Sequence, residues 1–409
     1  MHRFLIVFLV FISLTGFTQS EQPNQNIYDL VIYGGTSAGI AAAIQSARMN
    51  NSVLLIEPSR HLGGMTTGGL VWTDFGKEGA VGGIADEFYS RITDFYRNKE
   101  SWRVVDPNKE RLLNPHLKYI KSFEPSVATR IYQTMLEEER VEVWIGERLV
   151  WQKGVTKQQN KIQSVSFESG KHVSGKVFID ATYEGDLLAM SGVSYHVGRE
   201  SSDLYGESLA GVLPADPNVR QPKRNFNQVD SYIPGAKKMG YNLVDPFDMN
   251  GNLLFGIQDE KLAPVGTGDK KVQAYNVRVC LTSHPANKIP ITRPDGYDST
   301  NYELLARYIA AHKLNNIRQV LFKIDPVPNL KTDINDGCPF STDYIGANWD
   351  YPEADYKTRE EILQEHHRFT KGLLYFIGHD KRVPRPIRRE MLKFGYPRDE
   401  YVNNDHWTP

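Results

Sequence analysis

Cysteine is nearly missing from this 409-residue sequence; Cys280 and Cys338 are its two thiols. Two cysteines cannot build a disulfide scaffold or a four-cysteine metal site. No H-E-x-x-H pair supplies a metal motif in their place. An excess of either charge is missing too. The 48 Lys and Arg stand against 49 Asp and Glu, a formal net charge of −1. That excludes a protein whose main task is to cover a nucleic-acid backbone. Internal repeats and low-complexity segments are absent. With 40% hydrophobic residues, 21 Tyr and 18 Phe, the composition also excludes a disordered chain. At roughly 150 residues per domain, the length suits about two or three domains.

Long apolar runs are missing with one exception. His2 and Arg3 precede the uncharged stretch Phe4–Phe17, which ends on polar Thr18-Gln19-Ser20-Glu21. This run falls short of the ~20 residues that cross a bilayer. A cationic start, a short apolar run and a small-residue exit make residues 1–20 a secretory signal peptide, with an uncleaved anchor as the alternative. The absence of a cysteine after the run speaks against a lipid anchor. The expectation is an exported chain, periplasmic or secreted, with no integral membrane segment after processing. Export would permit a Cys280–Cys338 disulfide without requiring one.

What is present begins at Asp29. The run Asp29-Leu30-Val31-Ile32-Tyr33 reads as a buried strand. It enters Gly34-Gly35-Thr36-Ser37-Ala38-Gly39, then an alanine-rich helix to Arg48, then a second strand, Val53–Ile56, that ends on Glu57. This is a β-α-β unit with a dinucleotide fingerprint at its first turn. Gly34 permits the tight strand-to-helix turn, and Gly39 lets the helix approach the sheet. The amides at the helix start attract a pyrophosphate. Glu57, 18 residues past Gly39, is placed to accept both ribose hydroxyls. One position departs from the pattern, since Thr36 stands where the second glycine belongs. Its Cβ narrows the approach to phosphate, although its hydroxyl, or that of Ser37, can donate to one.

A second glycine-rich loop, His61-Leu62-Gly63-Gly64-Met65-Thr66-Thr67-Gly68-Gly69-Leu70, follows the acid directly. An NAD unit has no need of it. A longer ligand whose ribityl chain and flavin run past this loop does, with glycine allowing close backbone contact. Gly34–Gly39, Glu57 and this loop resemble the two-dinucleotide-binding flavoproteins. Within them they resemble the FAD-dependent oxidoreductase family common among exported bacterial proteins, some of which carry a xanthan lyase label.

The resemblance continues along the chain. A helix at about 125–140 leads to strand Val141–Ile145 and then to a meander of segments at 148–153, 161–167 and 171–179. That is the crossover these flavoproteins use. It ends at Asp180-Ala181-Thr182-Tyr183-Glu184-Gly185-Asp186, which in the family returns the chain beside the cofactor. The resemblance therefore implies FAD contacts from Gly34, Gly35, Thr36, Ser37, Ala38, Gly39, Glu57, Gly63, Gly64 and Met65. It adds backbone at Ala181 and Thr182, with backbone near Leu149 as the adenine contact. His61 could attach the flavin covalently, with noncovalent FAD as the other reading.

The implied fold is α/β, a Rossmann-like FAD-binding domain over 27–198 with a β-meander crossover. An α+β substrate or cap domain fills 199–409, with a strand over 274–281 and helices near 301–312 and 357–376. The segments 281–287 and 331–335 also match the family pattern. Its members continue past the equivalent of Pro409, so the second domain is expected to be C-terminally incomplete, and residues 1–409 are expected to hold FAD poorly by themselves. Asp74 and Asp186 are candidates to line the cleft, with surface turns as the alternative. His284 reads as a loop or core residue before a catalytic one, and Arg199-Glu200 as an ordinary ion pair or a solvated strand end. Adjacent His366 and His367 cannot share one helix face to bind a metal. The basic run from Lys381 to Arg398 reads as a solvated face, with an anionic polysaccharide as an alternative partner. The functional expectation is an FAD-dependent oxidoreductase that moves a hydride from a small polar substrate, a sugar or sugar acid, to flavin. A flavin-containing lyase and a catalytically inactive binding module are the alternatives. Catalytic residues are not legible at this level.

Overall fold

The computed structural model describes residues 27–106, 118–213, 244–257, 263–321, 323–335 and 340–409. The apolar run expected to direct export, and Cys338, lie outside the described residues. Among the described residues no helix is long and apolar enough to cross a membrane.

The expected β-α-β unit is β1 (Ile27–Tyr33), α1 (Ser37–Arg48) and β2 (Val53–Glu57). Helices α2 (Gly83–Arg97) and α3 (Pro125–Glu138) precede β3 (Glu142–Ile145). The meander is β4 (Val155–Gln158), β5 (Lys161–Ser166) and β6 (His172–Asp180). Together they form one sheet in the order β3-β2-β1-β6-β5-β4. Strand β1 runs parallel to β2 and β6, and β3 runs parallel to β2. The meander strands pair antiparallel. The nine-residue β6 serves both parts, pairing with β5 near its start and with β1 over most of its length.

Alternation explains why this sheet is covered on both faces. Successive strand residues point to opposite sides. Leu30 and Ile32, with Val53 and Leu55, pack under α1, α2 and α3. Val31 and Tyr33, with Leu54 and Ile56, pack against Leu149, Phe167 and the meander. Full burial of each such side chain is worth about 1.5–3 kcal/mol.

Short helices α4 (Asp186–Met190) and α5 (Ser202–Tyr205) lead out of the first sheet. The second region contains β7 (Val279–Thr282), β8 (Lys288–Pro290), α6 (Glu303–Ala311), β9 (Lys323–Val327) and β10 (Lys331–Asn335). It continues through α7 (Tyr356–His379), α8 (Arg385–Met391) and β11 (Gly395–Pro397). Its strands form an antiparallel sheet ordered β8-β11-β7-β10-β9. Its core gathers Phe369, Leu373, Phe376 and Ile377 of α7 around Tyr302, Phe340 and Leu305. The 3.6-residue period of α7 brings those four positions to one face.

Three details differ from the sequence reading. Residues 148–153 form no meander strand: Leu149 makes a single bridge to Phe167, and a turn with Gln152 at φ 57° delays the strand to Val155. The strand expected over 274–281 begins only at Val279, because Asn276 bridges to Asp343 instead. Arg199 pairs with Asp269, seventy positions away, through a two-way backbone bridge and a side-chain ion pair, so its sequence neighbour Glu200 is not its partner. The basic run carries α8, whose Ile387 and Met391 are buried while its cations lie outward or half-buried.

A buried ionic cluster joins the two regions. The Lys331 ammonium, wholly buried, meets Glu124 at 2.7 Å, Asp399 at 3.0 Å and Glu400. Glu124, at the start of α3, also accepts from Asn329 at 2.8 Å and Arg103 at 2.9 Å. The carboxylates of Glu124, Asp399 and Glu400 lie close enough to share a cation. The lysine ammonium occupies that role. Burial opposes its charge, but Glu400 and Glu124 outweigh burial and hold its pKa above the usual lysine value.

Candidate functional site

The glycine turn is shaped by steric need. Gly34 sits at φ +112°, and a Cβ there would lie 2.6 Å from the Ala181 carbonyl carbon and the Thr182 nitrogen. At Gly39 a Cβ would lie 1.9 Å from the Gly34 oxygen, so the first turn of α1 rests directly on the loop. Thr36 caps α1, accepting from the Gly39 N–H at 3.3 Å and donating to the Ala181 carbonyl at 2.7 Å. The residue that breaks the glycine fingerprint therefore ties the phosphate turn to the end of β6.

Glu57 ties the same turn to the second loop. Its Oε2 accepts from the Gly35 N–H and its Oε1 from the Ser59 N–H, both at 2.7 Å. It is buried, and each oxygen keeps a lone pair for a ligand hydroxyl. The two loops also touch directly, since the Gly63 N–H donates to the Gly35 carbonyl at 2.7 Å.

Between them opens a cavity of about 580 Å³. Of the residues anticipated from sequence, Gly34, Thr36, Glu57, Gly64, Met65 and Thr182 line it. Gly35, Gly39 and Gly63 stand behind that lining as packing and turn residues. Ser37 and Ala38 open α1, and Ala181 receives the Thr36 hydroxyl. Leu149 is buried outside the lining, and its N–H donates to the Tyr33 hydroxyl at 3.2 Å. Asp186 lines the cavity, whereas Asp74 is exposed elsewhere and His284 is half-buried outside it. His61 lines it with Nε2 held 2.7 Å from the Thr67 hydroxyl, and burial lowers its pKa.

The opposite wall was not legible in sequence. Tyr356, Arg359, Glu360, Leu363 and His367 of α7 line it. Their helical spacing makes a stripe roughly 16 Å long. At one end Arg359 makes two 2.8 Å bonds to Asp186 and donates to the Tyr351 and Pro352 carbonyls. Nearby, the Arg148 guanidinium lies 4.2 Å from the Tyr356 ring centroid. At the other end His367 accepts from the Trp407 indole, and Thr408 donates to the Gly68 carbonyl at 2.5 Å. Burial raises the carboxyl pKa of Asp186 against the pull of Arg359. Glu184 opens to the cavity yet is walled by protein, and its pKa is raised by the same desolvation. His366, buried against Tyr344, faces away from its neighbour His367. The lead that sequence did offer to this wall was the alternation of Tyr, Arg and His at helical spacing from 356 to 367.

The donor set suits FAD. A helix N-terminus, two glycine loops and a carboxylate with free lone pairs share one elongated cavity, and Gly34 excludes any side chain from its turn. The sequence matches the FAD dependent oxidoreductase family over residues 29–409. The chain belongs to that family, and FAD is its cofactor.

No curated protein matches the sequence. Among solved structures, L-proline dehydrogenase from P. horikoshii is similar at 15% identity, over 43% of this chain and 59% of its own, with a TM-score of 0.30. L-amino acid deaminase from Proteus vulgaris gives 15%, 44%, 59% and 0.30 in the same order. Thioredoxin reductase from Streptococcus pyogenes gives 21%, 38%, 35% and 0.23. Each likeness therefore spans less than two thirds of the protein matched.

Proposed function

We propose that this protein oxidises a small polar substrate, a sugar or sugar-derived acid, by passing a hydride to FAD held between its two glycine loops. The observation that carries the placement is Glu57, whose carboxylate bridges both loops while lining the cavity. Bound FAD supplies the two-electron acceptor. The chain orients it: the α1 N-terminus favours the pyrophosphate, Glu57 accepts ribose hydroxyls, and the Gly64–Gly68 loop borders the flavin. Polar side chains at Asn276, Arg278 and Tyr351 on the remaining wall suit a hydroxylated substrate.

Glu57→Arg should weaken FAD binding by roughly 2–4 kcal/mol, through loss of charge-assisted acceptors. Flavin titration checks this, with circular dichroism to show that the fold survives. Wild-type protein that takes NAD in place of FAD would overturn the flavin placement. Anaerobic bleaching of the flavin by candidate sugar acids tests the substrate class.

We also propose that the protein is exported, on the strength of the Phe4–Phe17 run. The secreted form should begin between about Gln19 and Gln25. N-terminal sequencing that reads Met1-His2-Arg3 in the exported fraction would contradict it.

A further inference from the structure

His367 stands out because its surroundings settle which nitrogen carries its proton. The indole of Trp407 is only a donor, and its Nε1–H points at His367 Nδ1 from 2.5 Å. Nδ1 must therefore present its lone pair, which leaves the proton of the neutral ring on Nε2. Nε2 has no protein partner among the described residues, and the ring lines the cavity. Trp407 is itself held in place, buried against Tyr396 with the Lys371 ammonium 4.8 Å from its ring centroid. The adjoining Thr408 is bonded to Gly68, so this corner sits at the Gly64–Gly68 end of the cavity.

We propose that His367 is a locked neutral donor, whose Nε2–H holds an unprotonated oxygen of the flavin end of bound FAD. The inference rests on the reading that the flavin lies along the Gly64–Gly68 loop.

The geometry also defines what His367 does not do. With one lone pair given to Trp407 and the other nitrogen protonated, no basic site faces the cavity. The ring offers a hydrogen bond to a flavin carbonyl oxygen, and does not take a proton from a substrate hydroxyl. Its environment keeps it in that form. Burial, the Lys371 ammonium and neighbouring His366 lower its pKa to about 4, against a weaker opposing effect of Glu360. Burial lowers the pKa of Lys371, and Asp405 in the C-terminal segment partly opposes that by favouring the lysine's charge. A purely structural staple between α7 and the C-terminal segment would need the Trp407 bond alone, with no demand on Nε2.

The test uses the full chain labelled with ¹⁵N-histidine, with the His367 signals assigned by their loss in His367→Gln. The expected wild-type spectrum shows protonated Nε2 and unprotonated Nδ1 from pH 8 to about pH 5. Trp407→Phe should release the lock, giving mixed tautomers and a pKa nearer the ordinary value. Adding FAD should shift the wild-type Nε2–H resonance. In FAD titrations His367→Leu should lose roughly five- to tenfold in affinity, the size of one neutral hydrogen bond. His367→Gln, which can place an amide N–H near the same point, should stay within about twofold. A protonated Nδ1, an Nε2 signal indifferent to FAD, or unchanged affinity in His367→Leu would each overturn the inference. Should His367→Leu fail to fold, the wild-type shift and the Trp407→Phe spectrum still decide. Wild-type protein that takes up no FAD would instead overturn the reading of the cavity on which the inference rests.

Discussion

Glu57 and Lys331 are both buried charges, and they are neutralised in opposite ways. Glu57 finds its partners within a few dozen residues, in backbone N–H groups of the first turn of its own β-α-β unit and of the loop after it. Lys331 finds carboxylates from α3 and from the segment after β11, 207 and 69 positions away. Backbone donors come with the fold of the unit and cannot be mutated away. Side-chain partners exist only when two regions dock, so the seam is the more fragile arrangement. The cavity uses both kinds of wall: glycine loops on one side, and on the other an α7 stripe anchored by the Arg359–Asp186 pair.

That contrast is broken most severely by Lys331→Met. Removing the ammonium leaves Glu124 and Glu400 facing each other without solvent, and the loss of one partner from a buried ionic group costs about 3–5 kcal/mol. The unfolding midpoint in urea should fall accordingly. A change below about 1 kcal/mol would mean that the regions dock without the cluster.

A smaller effect separates pH from packing. Burial raises the Asp333 carboxyl to about 6, against the pull of Arg278 at 2.8 Å. A carboxyl whose folded pKa exceeds its unfolded value stabilises the fold below the unfolded value. That contribution is lost as pH rises through the folded value. Wild-type stability should therefore fall relative to Asp333→Asn between about pH 4 and pH 7, by on the order of 2 kcal/mol. Parallel denaturation curves at several pH values read the slope. Superimposable pH profiles would assign the carboxyl an ordinary titration.

The smallest effect sharpens the glycine-loop side of the comparison. Thr36→Val keeps the shape but removes the cap on Gly39 and the donor to Ala181. The cost should be about 1–2 kcal/mol. If Thr36→Val were neutral by urea denaturation, the threonine would be a mere tolerated replacement for glycine.

The first sheet was legible because its signals are short-range. A strand, a glycine turn, an alanine-rich helix and a terminal acid lie within about thirty residues, and alternation along β1 and β2 sorts their side chains between two faces. The misread segments at 148–153 and 274–281 have strand-like composition. Their backbones were redirected by a positive-φ turn and by a distant bridge to Asp343. Arg199 was paired with its sequence neighbour for the same reason, since its true partner Asp269 becomes adjacent only in the fold. Thr36 looked like a defect in the fingerprint until the Ala181 carbonyl appeared within reach of its hydroxyl.

The amino-acid sequence by itself determined the dinucleotide unit, the loop that follows it and the family, because hydrophobic period, glycine placement and a terminal carboxylate act over local distances. Tertiary structure alone decided the far wall of the cavity, the tautomer of His367 and the partners of Lys331. Those depend on which side chains meet after docking, and desolvation then makes each such meeting energetically decisive.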